Sequence, residues 1–332
     1  MKIEKKIKVA VIDSGFREIY RELKNPIIER IHIMENGQNG DVTDENGHGT
    51  GLISIIDRLC DGVEFIIIKI LNKHCSCTSQ QLIRAMEIAL VKNVDIVNVS
   101  LGTTDMKLQE QFQTICDKAR SQNIMIITTC EQNNQLCVPF FCNGTIKVLS
   151  QKNIMDNEIC YKDNIFYARG MDHLIPWSKD TYIYSGSNSF STPYIIEKLV
   201  KLRQAGILDW EKLFFHLIKQ SKELEESEYI CVSKLCYTNQ ELYEYVKKIV
   251  EDVLQKELDN RRLSLHGMSI EASISIMEKL FQILDFQVYY EDFNYIDFEY
   301  VENITNKIEK MNNSRWTSNS KKGERNGSNK NS

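Results

Sequence analysis

The 332-residue chain has no run of eighteen or more apolar residues, which excludes a membrane-spanning helix. Met1-Lys2-Ile3-Glu4-Lys5-Lys6 passes straight into an apolar run, without the h-region of an export signal. Charge of neither sign dominates: 41 Lys and Arg against 46 Asp and Glu leave a net −5, so nucleic acid is not an expected partner. Ten cysteines are present, yet without an export signal they are expected to stay thiols rather than form a disulfide framework. The one Cys-rich cluster, His74-Cys75-Ser76-Cys77, lacks a second ligand pair at finger-like spacing, so no metal site is expected. Together these absences point to a cytoplasmic protein with no membrane partner, long enough for two domains.

What the chain does have is an acid, a histidine and a serine, each in a suggestive local setting. Val9-Ala10-Val11-Ile12-Asp13-Ser14-Gly15 reads as a buried parallel strand whose carboxyl end delivers Asp13, where open α/β sheets place their ligands. Asn46-Gly47-His48-Gly49-Thr50 flanks a histidine with glycines, which permit close backbone approach at a helix start. Gly186-Ser187-Asn188-Ser189-Phe190-Ser191-Thr192-Pro193 sets serines just ahead of a Thr-Pro pair, and Pro suits the first turn of a helix. Asp, His and Ser in this order match one way in which serine hydrolases deliver their triad.

In these segments the chain resembles the subtilisin-like serine proteases (subtilases), whose motifs read D-[ST]-G, H-G-T and G-T-S-M-A-T-P. The first two stand unaltered. The third, aligned from its Thr-Pro, places the nucleophile at Ser189, with Ser187 and Ser191 as competitors. The likeness spans roughly residues 7 to 205 and includes a helix and buried strand over residues 83–102 that end in Ser100-Leu101-Gly102, similar to the family's S-L-G substrate wall. It implies a parallel sheet sandwiched by helices and a triad of Asp13, His48 and Ser189. In that triad Ser189 attacks a peptide carbonyl, His48 carries the proton, and Asp13 orients the imidazole. It also implies strand-addition binding of the substrate along Ser100, Leu101 and Gly102.

The oxyanion donor is where the sequence departs from the family, which has an Asn after a buried strand in a stretch like A-A-G-N. Here residues 124–127 are followed by Thr128-Thr129-Cys130-Glu131-Gln132-Asn133-Asn134. Counting from the strand gives Gln132, whereas matching the Asn gives Asn133. The shorter Asn133 is taken as the donor and Gln132 as the alternate.

Residues 1–225 are assigned to the peptidase domain and 226–238 to a linker. Residues 239–311 show helical patterns at 242–257, near 272–284 and at 301–311, resembling a small four-helix acyl or peptidyl carrier domain. A carrier's modified Ser opens its second main helix. The apolar spacing of Ile274, Ile276, Leu280 and Leu284 instead puts Ile270 there, so phosphopantetheine on Ser269 is not expected and no cofactor is assigned. A degenerate carrier-like bundle that docks a protein partner is the expectation. Residues 312–332, polar and basic with Trp316 as their large apolar residue, are expected to be disordered.

The sequence thus predicts an intracellular serine endopeptidase that processes specific peptides, such as leader peptides, and carries a docking domain. The alternative of a different class is an inactive subtilase-like fold serving as a peptide-binding module.

Overall fold

The computed structural model describes residues 6–19, 21–34, 37–130, 137–151, 154, 158–171, 173–178, 181–224, 239–259, 263–266, 268–282, 284 and 288–324. The chain divides into two compact units, Met1–Tyr229 and Ile230–Ser332. The assigned linker, residues 226–238, lies outside the described residues.

The first unit alternates strands and helices. β1 (Ile7–Asp13), β2 (Ile27–Met34) and β3 (Gly37–Asn39) precede α1 (His48–Leu59). Then come β4 (Val63–Lys69), α2 (Ser79–Val91), β5 (Ile96–Val99), α3 (Gln109–Ser121), β6 (Met125–Thr128) and β7 (Thr145–Ser150). β8 (Cys160–Lys162), β9 (Ile165–Ala168), β10 (His173–Ser178) and β11 (Thr181–Ser185) lead to α4 (Thr192–Gln204), α5 (Trp210–Lys219) and β12 (Lys222–Glu223). The main sheet runs β12-β8-β9-β7-β6-β5-β1-β4-β2-β3, and β10 with β11 forms a separate antiparallel hairpin. From β2 through β4, β1, β5 and β6 to β7 every pairing is parallel. This is the expected parallel sheet flanked by helices.

The pleat decides which helix meets which residue, because successive side chains leave a strand on opposite faces. In β1, Ile7, Val9 and Val11 pack with α1 and α4, while Ala10 and Ile12 pack with α2 and α3. Each Ile or Val buried in this way contributes roughly 1.5–3 kcal/mol. β1 is buried on both faces, which is why it reads as a continuous apolar run.

The second unit is helical: α6 (Gln240–Leu254), α7 (Ile270–Phe281) and α8 (Val301–Glu324), with short 3-10 turns at Leu263–His266, Tyr290–Asp292 and Tyr295–Phe298. Val246 and Val250 of α6, Ile276, Met277 and Leu280 of α7, and Ile304 and Ile308 of α8 are buried. One detail differs from the sequence reading. α8 continues to Glu324 instead of stopping at Met311 before a disordered tail; no proline interrupts that stretch, and its first glycine is Gly323. α7 opens at Ile270 with the exposed Ser269 as its N-cap, so the hydroxyl at the helix start is that of Ser269. This hydroxyl accepts from Ala272 N at 3.2 Å. It also bonds the Glu271 carboxylate, whose pKa is lowered first by Glu271's own backbone N–H and then by Ser269.

Candidate active site

Asp13 ends β1 at an odd position of the pleat, on the face shared by Val9, Val11, α1 and α4. His48 is the first residue of α1, and Ser189 lies in the 3-10 turn Asn188–Ser191 that runs into α4. The periodicity of β1 puts Asp13 at the carboxyl end of the strand on the face that α1 and α4 cover; His48 opens the first of these helices and Ser189 precedes the second.

His48 Nδ1 lies 2.8 Å from Asp13 Oδ1, with the histidine side chain 18% exposed and the carboxylate 1%. Ser14 N donates to the same oxygen at 2.7 Å, whereas Asp13 Oδ2 is buried without a partner. Gly49 makes this approach possible: a Cβ there would sit 2.4 Å from Gly15 O and 3.2 Å from Asp13 Oδ1. Burial pulls the His48 pKa down, but the Asp13 charge, its hydrogen bond and the Asp44 charge outweigh that pull, so the net direction is up.

Asp44 was not singled out from the sequence, although it fixes the loop that presents His48. Its buried carboxylate accepts from Asn46 N at 2.9 Å, Gly47 N at 2.7 Å, Thr50 N at 2.9 Å and Thr50 Oγ1 at 2.6 Å. Desolvation opposes its ionisation, but these hydrogen bonds prevail and its pKa is lowered. An acidic residue just ahead of a helix start was the available signal. The buried Lys69, opposite Asp13 in the β1–β4 register, donates to Thr43 O in the same loop.

The turn that carries Ser189 is held by its own backbone and by Asn188. Asn188 Oδ1 accepts from Ser150 N at 2.8 Å, and its Nδ2 donates to Cys130 O at 2.8 Å, tying the turn to the ends of β7 and β6. Ser187 N donates to Gly170 O at 2.8 Å. The rival serines are spent on the turn: Ser187 Oγ accepts from Ser189 N, and the buried Ser191 Oγ donates to Asn188 O. Ser189 Oγ reaches outside the turn to Ser100 O at 3.4 Å, and no hydrogen bond joins it to His48. The site thus brings Asp13 and His48 into direct contact and turns the Ser189 hydroxyl towards the Ser100 carbonyl.

In that segment Asn98 Nδ2 donates to Ser100 Oγ at 3.0 Å, and Leu101 packs partly into the core. Beyond Gly102, Thr103 and Val138 form an antiparallel bridge with 2.9 Å hydrogen bonds in both directions. Gln132 and Asn133 lie outside the described residues. Among the described residues no cluster of three or more His, Cys, Asp or Glu could hold a metal. Burial, then the nearby Asp13 charge, pushes the Cys75 and Cys77 thiols up to about 11.

Comparison with known proteins gives concordant results. Residues 4–154 match the model of the subtilase family, Peptidase S8. An intracellular serine protease of Paenibacillus polymyxa is 25% identical over 254 residues, covering 67% of this chain and 76% of that protein. The major intracellular serine protease of Bacillus subtilis is 32% identical over 110 residues, 30% of this chain and 34% of that protein. The crystal structure of the nisin leader peptidase NisP from Lactococcus lactis superposes with a TM-score of 0.56 at 18% identity, covering 67% of this chain and 84% of that one. A lanthipeptide protease structure gives 0.54 at 17%, covering 66% and 81%. At those identities the two structures speak for the fold. The family domain and the serine protease relatives support a serine endopeptidase.

Proposed function

We propose that this chain, a serine endopeptidase with a subtilase-family domain, cuts specific peptides through Asp13, His48 and Ser189, and that leader peptides are its substrates. The observation that carries the reading is the 2.8 Å contact between Asp13 and His48, on the sheet face that also delivers Ser189. In this reading the Ser189 hydroxyl leaves Ser100 O and turns to His48 Nε2 when a substrate binds. His48 then takes the proton as Ser189 Oγ attacks the scissile carbonyl, and returns it to the leaving amine. Asp13 holds the Nδ1–H and stabilises the imidazolium. Asn133, or Gln132 as the alternate, donates to the oxyanion, a contribution of about 2.7–4 kcal/mol in the transition state.

Leader removal is favoured by the kinship in fold with NisP, a nisin leader peptidase, and with a lanthipeptide protease. The intracellular proteases among the relatives agree with a cytoplasmic location, and no helix among the described residues is long and apolar enough to cross a membrane. The C-terminal helical unit is assigned to docking a protein partner.

A second reading, an inactive peptide-binding module, is favoured by one feature: the Ser189 hydroxyl bonds Ser100 O and not His48. Incubation with a leader-bearing precursor peptide separates the two readings. A processing enzyme releases one defined pair of fragments, and His48→Ala stops the reaction. Retention of the intact peptide on the protein, without turnover, is the result expected of the binding module.

A further inference from the structure

The hairpin β10–β11 packs on α1 and carries a side chain that the triad does not use. Trp177 sits at an irregularity of the hairpin register between Pro176 and Ser178, and such bulges re-aim side chains beside active sites. Its indole lies across Gly47, the residue immediately before His48. A Cβ at Gly47 would fall 2.5 Å from Trp177 Cδ2, 2.6 Å from Cε2 and 2.8 Å from Cγ, and Gly47 has φ +103°. Both the backbone conformation and the ring therefore require glycine there. Behind the indole, Leu52, Ile55, Ile175 and Phe190 form a buried apolar cluster, while Trp177 itself is half-buried. Phe190 continues that cluster to the His48 ring, with centroids 5.2 Å apart.

The two sides of the cleft are thus built differently. Ser189 Oγ lies against Ser100 O, so the acyl part of a substrate runs along Ser100, Leu101 and Gly102. His48 protonates the leaving amine, so the leaving segment departs past His48, away from Ser100. The hairpin packs on α1, which His48 opens, and Trp177 covers the residue just before His48.

We propose that Trp177 is a specificity residue for the leaving segment, receiving an aromatic side chain just beyond the cleaved bond. This rests on the proteolytic reading given above. An indole backed by buried apolar residues offers a rigid face, and aromatic pairs gain more than their buried area alone provides.

Acyl transfer reads this side of the cleft directly. An ester substrate first forms the acyl-enzyme on Ser189, and an added amine then competes with water for it. In that step the acyl C–O bond to Ser189 breaks, a C–N bond forms, and the amine proton passes through His48 back to Ser189 Oγ. Phenylalaninamide and alaninamide are compared as acceptors, with fluorophosphonate labelling run in parallel on every variant. The native enzyme is expected to favour phenylalaninamide by about tenfold, the upper range of an aromatic pair. Trp177→Ala and Trp177→Leu should bring the ratio close to unity, and Trp177→Phe should keep most of it. A labelled Trp177→Leu with the native ratio, or a labelled native enzyme with no preference, overturns the proposal alone. Absence of labelling in the native enzyme overturns the proteolytic reading and this proposal with it.

Discussion

The two halves of the site are held in different ways. The Asp13–His48 half is fixed by side chains: a 2.8 Å contact, four hydrogen bonds into Asp44, and Lys69 on the Thr43 carbonyl. The Ser189 half is fixed mainly by the turn around it, through Asn188, Ser187 and Gly170, while the reactive hydroxyl makes one long bond to Ser100 O. In the proposed mechanism the acid–base pair is thus already assembled, and Ser189 joins it once its hydroxyl leaves Ser100 O. Catalytic hydrogen bonds that tighten only with substrate follow the same pattern.

Removing a member of the triad should have the largest effect. Ser189→Ala or His48→Ala should lower kcat by on the order of 10⁶, and the double variant should lose no more than either single one. Additive losses in peptide hydrolysis would show that the two halves do not act as one unit.

The oxyanion segment comes next. Asn133→Ala should cost about 10²–10³ in kcat, with Gln132→Ala much milder. The reverse order in a kcat comparison moves the donor to Gln132. Asn188→Ala severs the ties to Ser150 and Cys130, and a misplacement of about 1 Å in the nucleophile turn should cost about 10²-fold in kcat. Unchanged kcat would mean that the turn holds its place without Asn188.

The pH profile probes the acid–base half. In the proposed mechanism neutral His48 is the active form, and its pKa is raised, so kcat/KM should fall on acidification with a midpoint above the ordinary histidine value of about 6.5. Removing the Asp44 charge in Asp44→Asn should move that midpoint to lower pH. Stability carries its own signs. A raised histidine pKa stabilises the fold fully below about 6.5, and this is lost as pH rises through the folded value. Asp44, with a lowered pKa, stabilises the fold above its unfolded value near 3.9, and this is lost as pH falls through the folded value. Urea titrations across both ranges measure the two effects. A midpoint that stays put in Asp44→Asn would detach Asp44 from His48.

The smallest effect lies in the helical unit, where Ser269→Ala removes the N-cap of α7 and should cost about 0.5–2 kcal/mol. A thermal melt shows it. Ser269 is treated as a capping residue, so a phosphopantetheinyl transferase should add no mass to the chain.

Asp13, His48 and Ser189 can be proposed from the sequence because each sits in a short segment with its own punctuation: an apolar strand end, a pair of glycines, a Thr-Pro helix start. The sheet was legible for the same reason, since a strand buried on both faces leaves an unbroken apolar run. Contacts between distant segments left no such trace. Asn188 meets Cys130 across 58 residues. Trp177 owes its place to a bulge that neither periodicity nor composition announces. Asp44 left a local mark, an acid ahead of a helix, but the H-G-T segment beside it drew the reading to His48. The end of α8 is not set by polar composition: residues 312–322 hold neither proline nor glycine, and the helix runs on through them.

The most direct measurement is reaction of the purified chain with a fluorophosphonate probe, followed by mass mapping of the modified peptide. An Asp13–His48 pair that activates Ser189 predicts one adduct, on Ser189, formed in the native chain, kept in Ser187→Ala and Ser191→Ala, and absent from Ser189→Ala and His48→Ala. No adduct on a folded native chain, or an adduct that survives Ser189→Ala, would contradict it.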